Sequence, residues 1–296
     1  MGYLFIAIAA FSVGGQFSLS KLFKRVVPSS GYSDLFFNFG TGILSVCLFA
    51  AVCLGDVGFS PFSFSLAAGV ALCTLIYMLC NLRAVMCGKL AVFTMFLMLG
   101  GMVLPTLYGF IFLHEAFSWF KIAGIVLLLF AMVLSTREKS DVKNSRLFYV
   151  LCFIAFVCNG FVSVFSKMHQ ISENALDTYQ FSFWQSVVTA AFSGVLLSGC
   201  FLCARRREGL PAVVRQAVGA KSLSLIFVIT LIMRAGSVFL LLAAKTVPAS
   251  VLYPIMTGLS IVITSVCGRV FFKEKISVIN AISLGINIVA IVLMIF

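Results

Sequence analysis

The chain has 296 residues, of which 62% are hydrophobic and only 10% charged, and its mean hydropathy is +1.15. Soluble domains carry roughly 25% charged residues, so a water-soluble globule is excluded. The formal net charge of +12 does not point to nucleic acid, because the basic residues lie in short connections between apolar runs, where they set orientation in a bilayer.

Taken in chain order, ten apolar runs cover about 2–20, 35–54, 63–82, 89–113, 119–135, 147–167, 180–203, 222–244, 249–271 and 276–296. Each has the length, roughly 20 residues, at which a helix crosses about 30 Å of hydrocarbon. A transmembrane barrel would show segments of about ten residues with apolar and polar alternation, and stretches such as "AGIVLLLFAMVLS" (123–135) do not alternate. The fold class predicted is all-α integral membrane with ten transmembrane helices. The first run lacks a basic leading region and a small-x-small cleavage site, so it is expected to be a retained helix rather than a signal peptide.

The connections differ sharply in charge. Seventeen of the 21 Lys and Arg residues follow runs 1, 3, 5, 7 and 9. The opposite side holds Lys121, Lys167 and Lys245, and Arg234 lies inside a run. The positive-inside rule then predicts both termini outside, in a plasma (inner) membrane. Cysteines recur at Cys73, Cys80 and Cys87, one face of a helix, which suits small-residue packing. The "CFLC" of 200–203 has no second pair and no nearby His, so neither a metal nor a cofactor is expected.

The most polar connection, "STREKSDVKNSR" (135–146), divides the chain near its middle. On either side the sequence repeats. At an offset of 146, Ile8, Ala9, Gly14, Ser20 and Lys21 fall on Ile154, Ala155, Gly160, Ser166 and Lys167. At an offset of 159, Val92, Val103, Gly109, Phe112, Glu115 and Ser118 fall on Val251, Val262, Gly268, Phe271, Glu274 and Ser277. The expected organisation is therefore a five-helix repeat over 1–135, a polar linker over 136–146 and a second five-helix repeat over 147–296. Because five is odd, the second copy is inverted in the membrane. Inverted repeats are a transporter architecture, with substrate bound near the midplane where the repeats meet.

"GFIFLHEAFSWFKIAGIVLLLFAMVLS" (109–135) and "GRVFFKEKISVINAISLGINIVAIVLM" (268–294) carry a resemblance to a known family. Each has an apolar span, a terminal Glu, and small residues nine and then seven positions on: Glu115, Gly124 and Ala131, and Glu274, Ser283 and Ala290. The chain resembles the drug/metabolite transporter superfamily, in its ten-span group built from two EamA-type repeats. The resemblance implies that spans 1, 3, 4, 6, 8 and 9 line a central cavity. It also implies cytoplasmic termini, against the loop charges, which are given the greater weight.

Polar residues in lipid need a partner or a cavity, so stripes at helical spacing mark interior faces. Such stripes are Ser12, Gln16 and Ser20; Asn38, Thr41 and Ser45; Thr74, Tyr77 and Asn81; Asn159, Ser163 and Ser166; Thr230, Arg234 and Ser237; and Tyr253, Thr257, Ser260 and Thr264. The fifth run has no polar residue from Ile122 to Leu134 and is expected to face lipid. For any single Ser or Thr the plainer role is a bond between helices, about 0.6 kcal/mol each. Pro105 and Pro254 are expected to bend their spans, and Glu115 and Glu274 to anchor span ends.

Arg234 is a different case. It lies near the middle of its span, with about 16 Å of helix toward each interface, where even a lenient scale charges about 2.5–3.5 kcal/mol. No Asp or Glu lies within the core of any span, so an ion pair is not available. The alternatives are a guanidinium satisfied by carbonyls or amides, and a binding group for an anion. A planar guanidinium suits carboxylate or phosphate through paired hydrogen bonds. Related small multidrug antiporters exchange protons for cationic drugs through a membrane-embedded glutamate in their first span. Here that span reads "AIAAFSVGGQFSLSK", without an acid.

The function predicted is a secondary transporter that moves a small metabolite, carrying a carboxylate or phosphate, by alternating access. An amino acid or organic acid is favoured. Arg234 is the expected anchor, with Gln16, Tyr77, Asn159, Ser237 and Tyr253 as further substrate contacts. The partners expected are a small-molecule substrate and the lipid bilayer, not nucleic acid, and two fused repeats allow a monomer to function. The alternative is a flippase for a lipid-linked substrate, which the basic loops permit. A membrane-embedded enzyme would need a paired carboxylate, a His-rich metal set or a nucleotide loop, and the sequence has none.

Overall fold

The computed structural model describes residues 2–27, 31–87, 90–116, 118–135, 145–204, 219–272 and 277–295. Within them the apolar runs form ten α-helices: α1 (Gly2–Val26), α2 (Gly31–Val52), α3 (Pro61–Cys87), α4 (Leu90–Phe112), α5 (Trp119–Ser135), α6 (Arg146–Ile171), α7 (Thr178–Ala204), α8 (Ala220–Thr246), α9 (Ala249–Phe272) and α10 (Val278–Ile295). Among the described residues, seven helices are long and apolar enough to cross a membrane. In the other three the apolar stretches are shorter, Gly2–Gln16, Trp119–Leu134 and Val278–Met294. Large side chains such as Phe11, Val126, Phe130, Phe153 and Phe161 are exposed. A surface of this kind belongs in hydrocarbon, and the protein is a multi-pass membrane protein. The linker 136–146 lies almost wholly outside the described residues.

Helices with so few polar side chains pack by close approach of small residues rather than by hydrophobic drive. Contacts run mainly between the first five helices and the last five: α1 on α8, α3 on α6, α4 on α6, α1 on α9, α2 on α7, α5 on α10 and α4 on α9. The α3–α6 seam is antiparallel along its whole length. Ser145 N–H donates to the Cys87 carbonyl at one end, Cys80 and Cys152 are buried in one cluster, and His169 bonds Ser63 at the other end. The α1–α8 seam is built likewise, with Gly236 against Ser12 and Phe5 against Phe239. Where α4 crosses α6, a side chain on Gly100 would overlap the Phe156 carbonyl, and one on Gly160 would strike Leu104.

Lys167, the last residue of the sixth run, lies in the last turns of α6 and is only 4% exposed. One expectation needs correction. The fifth helix does not simply face lipid, because Leu128, Ala131 and Met132 are buried and Ser283 of α10 donates to the Ala131 carbonyl. An apolar stripe serves equally against lipid and against another apolar helix, so composition could not separate the two. Pro105 and Pro254 do sit inside helices.

Candidate functional site

Most hydroxyls in the polar stripes bond within their own helix. Ser12 donates to the Ile8 carbonyl, Thr74 to Val70, Thr230 to Ile226, Ser237 to Met233 and Ser260 to Met256. This back-bonding lets a Ser or Thr enter lipid without a partner on another helix. Ser237, a sequence candidate, is thus hydrogen-bonded to its own helix.

Arg234 projects from α8 and is 7% exposed. Its Nε donates to Ser45 Oγ of α2 at 2.5 Å, and Ser45 Oγ donates in turn to the Thr41 carbonyl. The carbonyl at the end of this relay fixes the serine hydrogen, so the serine lone pairs face the arginine. On the α3 side, Tyr77 is in electrostatic contact with Arg234 and hydrogen-bonded to Thr74. Among the described residues no carboxylate neighbours the guanidinium. An ion pair elsewhere, Lys245 with Asp177 at 3.9 Å, involves two exposed side chains near the α6–α7 and α8–α9 connections. With Nε committed to Ser45, the terminal Nη1/Nη2 edge carries the remaining donors of the guanidinium.

A second polar cluster joins α4, α6 and α9. Asn159 donates to the Leu97 carbonyl at 2.8 Å, and Ser163 to the Gly101 carbonyl at 3.3 Å. Tyr253 of α9 donates to the Ser163 carbonyl at 2.7 Å. Pro105 has no N–H to offer the carbonyl four residues back, and that carbonyl is Gly101, the one Ser163 reaches. The gap left by the proline is therefore filled from α6. A side chain on Gly101 would come within 2.6 Å of Asn159 Nδ2, so the glycine makes room for the amide.

The six sequence candidates thus fall in different places. Arg234 and Tyr77 lie within electrostatic reach of each other. Asn159 and Tyr253 belong to the second cluster, which the α3–α6 seam connects to the first, since Tyr77 packs on the cluster containing Ala155, one turn before Asn159. Gln16 is half-buried on α1 beside Gly15, which faces Ile232 of α8, and its amide has no hydrogen bond among the described residues. Ser45, the hydroxyl that holds the arginine, was legible only as one member of a stripe. Its pairing with a residue 189 positions away has no sequence signal.

The comparisons agree with a membrane protein. The family model for small multidrug resistance proteins matches residues 200–287, the end of α7 through most of α10. The uncharacterized membrane protein YvaE of Bacillus subtilis (strain 168) is 41% identical over 58 residues, which are 19% of this chain and 49% of that protein. The match thus spans about half the length of that curated relative. A crystal structure of another protein shares the fold with a TM-score of 0.70 at 17% identity, covering 97% of this chain and 95% of that one.

Proposed function

We propose that the protein is a secondary transporter for a small anionic metabolite, working by alternating access between two inverted repeats, 1–135 and 147–296. The observation that carries the substrate class is Arg234, a cation buried at mid-helix and positioned by Ser45 with no acid beside it among the described residues. A purely structural arginine in lipid would be neutralised by a carboxylate or wrapped in carbonyls, since the unpaired charge is costly. A carboxylate or phosphate of the substrate supplies the missing charge, and a single cation favours a monoanion such as an amino acid or organic acid.

The two-repeat reading is supported by how the contacts exchange. α1 lies on α8 as α6 lies on α3, and α2–α7, α4–α9 and α5–α10 pair across the halves. The match to small multidrug resistance proteins falls in the second half and includes Arg234. A guanidinium repels lipophilic cations, so this chain departs from cationic drugs as cargo. Ten spans, a plasma membrane location, both termini outside and function as a monomer complete the reading.

A thermal-shift screen of purified protein tests it. Amino acids, organic acids, phosphorylated metabolites and cationic dyes are compared on the parent and on Arg234→Gln. A ligand that binds only the folded state raises its melting temperature by mass action. An anionic class is expected to stabilise the parent and not the folded variant. Equal stabilisation of both by cations would overturn the substrate class.

A further inference from the structure

Among the described residues, short charge-to-backbone contacts lie away from Arg234, at the end of the bundle where the α4–α5, α6–α7 and α8–α9 connections gather. Glu115, just beyond α4, accepts hydrogen bonds from both free N–H groups at the start of α9: Ala249 N at 2.5 Å and Ser250 N at 2.8 Å. Lys167 of α6 donates to Ala244 O in the last turn of α8 at 2.7 Å and to Val247 O, just after that helix, at 2.8 Å. Both charges have the sign that the helix end favours. Together they grip the α8–α9 turn from two sides, and they also attract each other electrostatically.

Local structure aims the carboxylate. His114 adopts a left-handed φ of 50°, and Glu115 N–H returns to the Gly109 carbonyl. A side chain on Gly109 would lie 2.7 Å from Glu115 Oε2, so only glycine lets the carboxylate fold back into place. α9 supplies no substitute of its own, because the Ser250 hydroxyl is buried without a hydrogen-bond partner among the described residues. Beyond the grip, α9 is buried without interruption from Ala249 to Met256, whereas Arg269, Val270 and Phe271 at its other end are exposed. The start of α9 is thus packed closely among its neighbours.

We propose that Glu115 and Lys167 are positioning residues of a latch, which closes this end of the transport pathway by holding the α8–α9 turn and releases it in the other state of the cycle. The inference rests on the alternating-access reading above. Glu115 belongs to the first repeat and the turn it holds to the second, so movement of one repeat against the other breaks its two bonds, while Lys167, in the same repeat as the turn, steadies the turn's carbonyl side. Glu274, which the sequence repeat pairs with Glu115, lies outside the described residues.

The test uses the full chain in phospholipid nanodiscs with Ser163→Cys as a reporter, one turn deeper than Lys167 on α6. N-ethylmaleimide is the probe, and peptide mass spectrometry separates this site from the native cysteines. Glu115→Ala is expected to speed labelling at position 163 about tenfold, the scale of a lost charge-assisted hydrogen bond. Gly109→Ala should do the same with every charge retained, which keeps the test valid if Glu115→Ala does not fold. A disulfide between Glu115→Cys and Ser250→Cys should slow labelling below the parent and release it on reduction. Unchanged labelling in the folded variants, with faster amide exchange confined to Ala249 and Ser250, would reduce Glu115 to a static cap and overturn the latch. Because the probe needs no substrate, the two readings fail separately. Faster labelling without any anionic ligand response retires the substrate class alone, and a ligand response with unchanged labelling retires the latch alone.

Discussion

At Arg234 the polar contact and the charge have opposite effects on stability. A buried cation without a counter-ion costs about 2.5–3.5 kcal/mol by the lenient scale, and the bond Arg234 donates to Ser45 offsets part of that. Arg234→Leu is therefore expected to leave melting unchanged or raise it while abolishing the ligand response, as replacement of buried charge by apolar groups often does. Ser45→Ala acts in the opposite direction. It leaves the guanidinium in place and strips its partner, with an expected loss of about 1–3 kcal/mol, read as a lower melting temperature in detergent. A structural arginine would reverse the first result. Outside the spans, burial raises the Cys53 thiol pKa, and the Asp177 and Asp56 charges add to it. Since the thiolate is the reactive form, maleimide labelling of Cys53 should be slow near neutral pH and accelerate at higher pH than for a free thiol. Asp56→Asn should shift that profile toward lower pH.

Among the elements, the α4–α6 crossing is the tightest joint. Gly100, Gly101 and Gly160 bring the two helices into backbone contact, and Ser163 and Asn159 satisfy α4 carbonyls, including the one Pro105 leaves without a donor. A methyl group at Gly100 meets backbone rather than a movable side chain, so Gly100→Ala is expected to cost at least the roughly 1–3 kcal/mol of an overpacked core. Gly285 of α10 is the control, because a Cβ there meets nothing within 4 Å. Gly285→Ala should stabilise its helix by up to about 1 kcal/mol. Parallel thermal melts of the two variants decide whether glycine is kept at the crossing for approach or merely tolerated. The same joint recasts Asn159 and Tyr253. Their polarity was legible as a stripe, but the carbonyls they serve lie on other helices, which spacing along one chain does not disclose.

Across the whole molecule, the halves interlock rather than sit side by side. α1 packs on α8 and α9, while α6 packs on α3 and α4, so neither half can bury its seams alone. A protease site inserted within 138–142 and then cut should leave the two pieces co-purifying in mild detergent, and dissociation on cleavage would contradict the interlock. By itself the sequence determined the bilayer as solvent, the all-helical class, the run boundaries to within six residues and the anomaly of Arg234. These follow from local composition, because hydrocarbon accepts only chains that satisfy their own backbone. Tertiary structure alone decided which helix faces meet and which serine holds the arginine. It also decided that Lys167 and Glu115, legible only as span-end charges, grip the turn between α8 and α9. The reason is physical: lipid and a neighbouring apolar helix present the same environment to a side chain, so which surface it meets depends on packing between segments far apart in the chain.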